Sequence, residues 1–211
     1  MNNGTAVFVA SEYPEKGNNT SNTGPVPIVA FRTSNGGTSW TRTAVDTLNT
    51  GASYATSSVT TVASDGTNLL LVYSGSLTTG ANGKVYVRRS TDSGATWGAR
   101  TEMTNSAGGA DATSVAAAGK AGLFAITWMD KRGGGWNAWE RESTDGGVTW
   151  SSDAKVSDAT SGASYKTVSG FGLPYGDYDM AAINYLGKPV VIMGEGNSGQ
   201  TTGDIWVNRK L

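Results

Sequence analysis

The sequence predicts an all-β chain, a β-propeller of four-stranded antiparallel blades with about four blade units in its 211 residues. Three observations predict it: a turn motif recurs three times, the strands around it recur with it, and the composition is that of a turn-rich β protein. The motif is S/T-x-D/N-x-G-x-x-W. It reads Ser90-Thr91-Asp92-Ser93-Gly94-Ala95-Thr96-Trp97 and Ser143-Thr144-Asp145-Gly146-Gly147-Val148-Thr149-Trp150, with a weaker copy, Thr33-Ser34-Asn35-Gly36-Gly37-Thr38-Ser39-Trp40. The copies begin at residues 33, 90 and 143, so they are spaced 57 and 53 residues apart. One blade with its loops has about that length.

Each motif position has a mechanical reason. Asp92, Asp145 and Asn35 supply a short acceptor side chain for nearby backbone N–H groups. Gly37, Gly94 and Gly147 stand where the backbone needs a positive φ. Trp40, Trp97 and Trp150 bring a large ring that packs on the blade and pins the turn. Thr33, Ser90 and Ser143 open the three copies.

The flanking strands follow the same order. One strand precedes each copy, at 29–33, 85–89 and 138–142, and a short one follows, at 41–45, 100–103 and 154–156. Upstream of the two full copies lie strand pairs, 59–63 with 69–73 around Asp65-Gly66, and 113–117 with 123–128. The blade units run approximately 5–48, 57–105, 111–158 and 165–211. The segment 6–11 matches the second strand of a unit and 205–209 the third, which makes about fourteen strands in groups of three, four, four and three. Those ends overlap in type and do not complement each other. A piece of a larger propeller, a small ring of four units, and association between chains all fit this count.

Composition excludes several functions. Lys and Arg total 16 against 17 Asp and Glu, so neither nucleic acid nor an anionic membrane is attracted by net charge. No apolar run reaches the ~20 residues of a membrane span. Cys and His are both absent, which removes thiol chemistry and the commonest general base and metal ligand. No resident cofactor is expected, and any metal would be held by oxygen ligands, as calcium is. Gly is high at 30, while seven Trp and eight Tyr argue against disorder. No basic region followed by an apolar stretch is visible near Met1, so a signal peptide is absent or already removed.

The motif copies resemble the Asp boxes of the sialidase (BNR-repeat) superfamily, and the resemblance extends from about residue 5 to 209. Trp128-Met129-Asp130-Lys131-Arg132-Gly133, then Trp136-Asn137-Ala138-Trp139 and the second full box, is similar to a blade of secreted bacterial sialidase-like proteins. Gly176-Asp177-Tyr178, Pro189 to Gly194 and Gly203 to Val207 resemble a later blade. The resemblance implies a six- or seven-bladed propeller, extracellular or secreted and directed at a glycan or glycoprotein. It also implies that the boxes themselves are structural. Catalytic members use three arginines on the substrate carboxylate, a Tyr nucleophile activated by Glu, an Asp acid/base and an Arg-Ile-Pro type motif. Here Pro27-Ile28 lacks the Arg, and Arg32, Arg42, Arg88, Arg89, Arg100, Arg132, Arg141 and Arg209 suggest no triad.

The candidate site residues are therefore these. Asp130, Arg132 and Trp136, in a loop at one end of the propeller, are the expected ligand contacts. Asp130, Asp177, Tyr178 and Glu195 are the candidates for acid/base or nucleophilic work on a glycoside, which needs two carboxyl groups roughly 5–10 Å apart. A bland alternative stands beside each: a loop ion pair with a packing Trp, and a loop with capping carboxylates. Trp128, Trp136, Trp139 and Trp206 could stack on sugar faces, and the alternative is blade packing, which is strongest for Trp139 and Trp206 in their equivalent third-strand positions. Two functions remain open: a non-catalytic glycan-binding, adhesive or assembly module, which self-associates or joins further blades, and an exo-α-sialidase or related glycoside hydrolase with an incomplete catalytic set in this chain.

Overall fold

A computed structural model describes residues 4–12, 25–49, 60–157, 179–195 and 204–209, the last segment and residues 194–195 by their backbone alone. Fourteen strands are found among them: β1 Ala6–Ser11, β2 Val26–Thr33, β3 Thr41–Leu48, β4 Thr60–Ser64, β5 Leu69–Gly75, β6 Lys84–Ser90, β7 Thr101–Glu102, β8 Ala112–Lys120, β9 Leu123–Asp130, β10 Asn137–Ser143, β11 Ala154–Lys155, β12 Met180–Ile183, β13 Pro189–Glu195 and β14 Asp204–Arg209. They form four antiparallel sheets, ordered β1-β2-β3, β4-β5-β6-β7, β8-β9-β10-β11 and β12-β13-β14. The box turn joins the last two strands of each of the first three sheets. The first sheet thus matches the last three strands of a full blade and the fourth matches the first three. The expected all-β propeller of four-stranded blades is what the chain forms, with two full blades and two of three strands.

The sheets stack face to face in chain order, β1 against β4, β4 against β8 and β8 against β12. Side chains alternate across a strand, so each middle sheet feeds two cores. In β5, Leu71 and Tyr73 join Ile28 and Leu48 of the first sheet, while Leu70 and Val72 join Phe124, Ile126 and Trp128 of the third. On the other side of the third sheet, Met129, Trp136 and Ala138 meet Val191 and Met193 of the fourth. This is why Leu69–Gly75 reads as an unbroken apolar run and is buried at every residue. The register aligns the sheets: Tyr73 faces Tyr86, Trp128 faces Trp139 and Met193 faces Trp206 at equivalent places in consecutive sheets. Trp128 and Trp139 pack in these cores, as expected, and Trp206 lies in β14.

Each box closes by one repeated set of hydrogen bonds. In the second sheet, Ser90 Oγ accepts from Gly94 N (2.8 Å) and donates to Asp92 Oδ1 (2.8 Å). Asp92 then accepts from Thr96 N (2.9 Å) and from Thr96 Oγ1 (2.6 Å). Ser143, Gly147, Asp145 and Thr149 repeat this in the third sheet. In the first sheet Thr33 bonds Gly37 N and Asn35, Asn35 Oδ1 accepts from Ser39 N, and the amide Nδ2 donates to Ser39 Oγ at 2.9 Å. Asn substitutes for Asp because the seventh residue's hydroxyl turns from donor into acceptor. Positions four and five both adopt positive φ, for example Gly146 at 73° and Gly147 at 86°, and Ser93 adopts 60° without being glycine.

The boxes also tie neighbouring sheets together. Arg32, the residue before the first box, donates from Nε to Ser93 O of the second box at 3.0 Å. Arg89, the residue before the second box, donates from Nε to Gly146 O of the third at 2.6 Å. Both acceptors are position four of a box, whose left-handed backbone turns the carbonyl outward. Nearer the axis, a Cβ on Gly119 of β8 would come within 2.5 Å of the Ser64 carbonyl of β4. Only glycine lets the inner strands approach so closely.

Four hydrogen bonds hold the Asp92 carboxylate down to a pKa of about 2, led by those from the Thr96 hydroxyl and backbone. Its stabilising contribution is present above the unfolded value near 3.8 and is lost as pH falls toward 2. Asp92→Asn is expected to keep a melting temperature near that of the parent at pH 7 and to lose less stability below pH 4, while Asp92→Ala melts lower at both. Thermal unfolding by circular dichroism between pH 7 and 2 measures this.

Candidate functional site

The tight hairpins 65–68, 121–122 and 184–188 and the box turns lie at one end of the sheets. The connections 76–83, 103–111 and 131–136 lie at the other, where the inner strands β4, β8 and β12 begin. Polar residues occupy equivalent places there. Thr60 starts β4 opposite Tyr73, a bulge at Ser114–Val115 interrupts β8 opposite Trp128, and Asp179 precedes Met180 at the start of β12. Ser11 of β1 shares a 2.6 Å hydroxyl–hydroxyl bond with Thr60. Ser114 adopts φ of 52°, an uncommon conformation for a residue with a Cβ.

Asp179 is the residue in this group with chemical potential. The residue as a whole is half-buried, but both carboxylate oxygens are inaccessible and neither finds a hydrogen-bond partner. Burial pushes its pKa up to about 7, and the neighbouring Ser114 hydroxyl opposes this without closing a full bond. A carboxylic acid that titrates near neutrality can donate or accept a proton at physiological pH.

The Asp130 loop has a different character. Asp130 is the last residue of β9 and is 0% exposed. Trp128 Nε1 donates to its Oδ2 at 2.9 Å, and Arg132 donates to both oxygens, from Nε at 2.9 and 3.0 Å. Arg132 then lies 3.9 Å above the Trp139 ring and reaches Asp153 with Nη1. Asp153 also accepts from Arg141 Nε and from the Ser106 hydroxyl, so one carboxylate ties the second sheet's outgoing loop to the third sheet. Trp136, 5% exposed, closes the core between the third and fourth sheets, with Lys131 Nζ 5.7 Å from its ring. Asp130 and Arg132 pair on the side of the third sheet that holds Trp128 and Trp139, whereas Trp136 packs on the opposite side, against the fourth sheet. The loop surface over them, Lys131 to Gly135, carries a single 3-10 turn at Arg132–Gly134.

The remaining sequence candidates divide by position. Asp177 and Tyr178 lie outside the described residues. Glu195 ends β13 opposite Asp204, the place that Asp130 holds opposite Asn137 in the third sheet. All seven arginines with described side chains are engaged within the chain. Arg42 pairs with Glu12, Arg88 and Arg100 with Asp46, Arg132 with Asp130 and Asp153, and Arg141 with Asp153, while Arg32 and Arg89 hold box carbonyls. Arg88 and Asp46 belong to adjacent sheets and share the Tyr73 hydroxyl. Among the described residues, no three or more Asp or Glu converge as a metal site. A cavity of about 260 Å³ between β1 and β4, lined by Val7, Val62, Ala63 and Leu69, is at the box end, away from Asp179.

Neither a described protein family nor a curated protein matches the chain. Solved structures do. An α-L-arabinanase of Penicillium chrysogenum complexed with arabinobiose aligns at 13% identity and a TM-score of 0.56, over 97% of this chain and 56% of its own. A GH93 α-L-arabinofuranosidase of Fusarium graminearum, also with arabinobiose, aligns at 16% identity and 0.53, over 98% and 58%. A sialidase from a Hadza microbial source aligns at 11% and 0.51, over 85% and 42%. Similarity at this level establishes the shared propeller fold. The chain spans little more than half the length of the two arabinose-acting structures.

Removing Asp130 leaves the buried Trp128 N–H without its acceptor, while Arg132 keeps Asp153 as a partner. Asp130→Ala is expected to cost about 1–3 kcal/mol of stability in urea unfolding. Asp179 behaves oppositely to an exposed carboxylate. Its folded pKa lies above the unfolded value of 3.8, so stability falls as pH rises from about 4 to about 7 and then levels off. Asp179→Asn is expected to flatten that fall, so that the variant gains on the parent at pH 8 relative to pH 4. Denaturant midpoints across that range measure it.

Proposed function

We propose that this chain is a sialidase-like propeller module that works outside the cell and binds a neutral glycan without cleaving it. The observation that carries the reading is the engagement of all seven described arginines in bonds within the chain. Recognition of a sialic acid carboxylate by an arginine triad would need several of them to be free and convergent. The Thr60 hydroxyl at the start of the inner strand β4 suits the hydroxyl groups of an uncharged sugar. The fold likeness to two arabinose-acting structures and to a sialidase supports a glycan as the ligand. In this reading Asp130, Arg132 and Trp136 hold the 131–136 loop in shape, and the ligand meets the loop surface above them.

Asp179 supports a second reading, a glycoside hydrolase that uses it as the general acid. A protonated carboxyl near neutrality is what that role requires, and it needs a second carboxylate roughly 5–10 Å away. Glu195 and Asp177 are the candidates for that partner.

Calorimetric titration with arabino-oligosaccharides and with a sialylated trisaccharide separates these readings, run beside a hydrolysis assay on both. The expected result is saturable binding of the neutral sugar, no enhancement by sialic acid and no released monosaccharide. Release of sialic acid would overturn the proposal, as would failure to bind any neutral glycan. Release of a neutral sugar that Asp179→Asn abolishes would establish the hydrolase.

A further inference from the structure

The hairpin turn between β12 and β13, Asn184-Tyr185-Leu186-Gly187-Lys188, presents two large apolar side chains to solvent. Tyr185 is 86% exposed and Leu186 66%. The corresponding turns of the second and third sheets read Asp65-Gly66-Thr67-Asn68 and Ala121-Gly122. Gly66, Thr67 and Ala121 are exposed as well, although the second sheet is covered on both faces and closed by its own box. Exposure therefore belongs to the tip of the inner hairpin. Among the described inner hairpins, the fourth sheet's alone places large apolar side chains there. Val148, 63% exposed at position six of the third box, adds an apolar side chain at the same end, where the earlier boxes have Thr38 and Ala95.

The turn is held from within and from the neighbouring sheet. Asn184 Oδ1 accepts from Leu186 N and Lys188 N, both at 2.9 Å. Asn184 N donates to Lys188 O at 2.9 Å, and Gly187 N donates to Asn184 O at 3.1 Å. The backbone N–H groups of Asn184, Leu186, Gly187 and Lys188 thus all find partners inside the turn. Lys120 of the third sheet donates from Nζ to the same Asn184 carbonyl at 2.9 Å, and a Cβ on Gly187 would come within 3.1 Å of Leu123 Cδ1.

An apolar pair on such a tip can meet either a pocket on another protein or the interfacial zone of a bilayer. The backbone bonds favour the bilayer, because a turn enters a medium poor in water only when its polar backbone groups are already paired. Charge favours it too. Lys120 and Lys188 are exposed beside the tip, and neither 120–123 nor 184–188 contains an acid. Tyrosine suits this zone with its ring among apolar groups and its hydroxyl among headgroups, and lysine stems reach back toward phosphates. The net charge of −1 gives the chain no general attraction to an anionic membrane. The box carboxylates Asp92 and Asp145 stand at the same end, so attraction is confined to the tip itself.

We propose that the 184–188 turn seats on an anionic lipid surface, with Tyr185 and Leu186 at headgroup depth and Lys120 and Lys188 against lipid phosphates. The contact turns the opposite end of the sheets, with Thr60, Asp179 and the 131–136 loop, away from the membrane. It does not depend on the glycan reading.

Flotation with vesicles of phosphatidylcholine alone, and of phosphatidylcholine mixed with phosphatidylglycerol, tests it. The chain is expected to float with the mixed vesicles, far less with phosphatidylcholine alone, and less with the mixture as salt is raised. Leu186→Ser is expected to lower the partition coefficient about tenfold, the scale of taking one exposed leucine side chain out of water, and Tyr185→Ser lowers it in the same direction. Lys188→Gln is expected to lower it about fivefold on the mixed vesicles only. All three substitutions are at exposed side chains, and circular dichroism confirms that the variants fold. Each leaves the titration with neutral sugar as it is in the parent, so the two readings fail separately. A parent that floats with neither vesicle, as it would if the tip served a protein partner, overturns the proposal. So does equal flotation with both compositions, or a folded Tyr185→Ser, Leu186→Ser double variant that floats as the parent does.

Discussion

A sheet that is apolar on both faces has to be covered on both, and this constraint organises the molecule. The strand Leu69–Gly75 cannot satisfy itself within one sheet, because Leu70 and Val72 point one way while Leu71 and Tyr73 point the other. Water would meet whichever face lacked a neighbour, at about 25 cal/mol for each Å² of apolar surface. Stacking successive sheets face to face meets the demand for the second and third sheets. It also explains why the register keeps Tyr73–Tyr86 and Trp128–Trp139 level, since the large side chains must interleave at one height.

The box turn serves this stacking as much as its own sheet. Its side-chain bonds set two successive left-handed residues, and these turn the fourth carbonyl out to the arginine of the preceding sheet. Asp145 and Asp92 are thus solvent-facing carboxylates whose work is to shape a backbone, and Arg32 and Arg89 read that shape. The same economy of arginine runs through the Asp46 and Asp153 clusters, each of which joins two adjacent sheets through one carboxylate. A chain with this many arginines in its seams has few to present to a charged ligand, which is the basis for favouring a neutral one.

Asp179 stands apart because the Ser114 hydroxyl alone opposes the effect of its burial. Most carboxylates in the seams are surrounded by donors, whereas its oxygens are buried beside one hydroxyl at a strained bulge. Unpaired buried carboxyls are costly and gather at functional sites. Its place at the start of an inner strand, level with Thr60 and the Ser114 bulge, puts it at the end of the sheets where the longer connections gather.

The amino-acid sequence by itself determined the class of fold, the strand order within each unit and the inner logic of the box, because these depend on local features: alternation along a strand, a short acceptor side chain, glycine at a positive φ. Its count of strands in groups of three, four, four and three follows from the same local pattern. The fate of individual charges was decided by tertiary structure alone. The motif around Trp128 to Arg132 reads equally well as a ligand site or an ion pair, and only the folding of Arg132 back over Trp139 sets its half-buried head against the fully buried Asp130 carboxylate. Of the carboxylates in Gly176 to Asp179, sequence offered no reason to prefer the last, because the Ser114 hydroxyl beside it stands 65 residues away along the chain and is brought there only when the sheets stack. Arg32 and Arg89 left a faint local trace, each standing immediately before a box, but their partners lie one whole sheet further on. Periodicity reports which face a side chain occupies; it carries no record of what that face will meet.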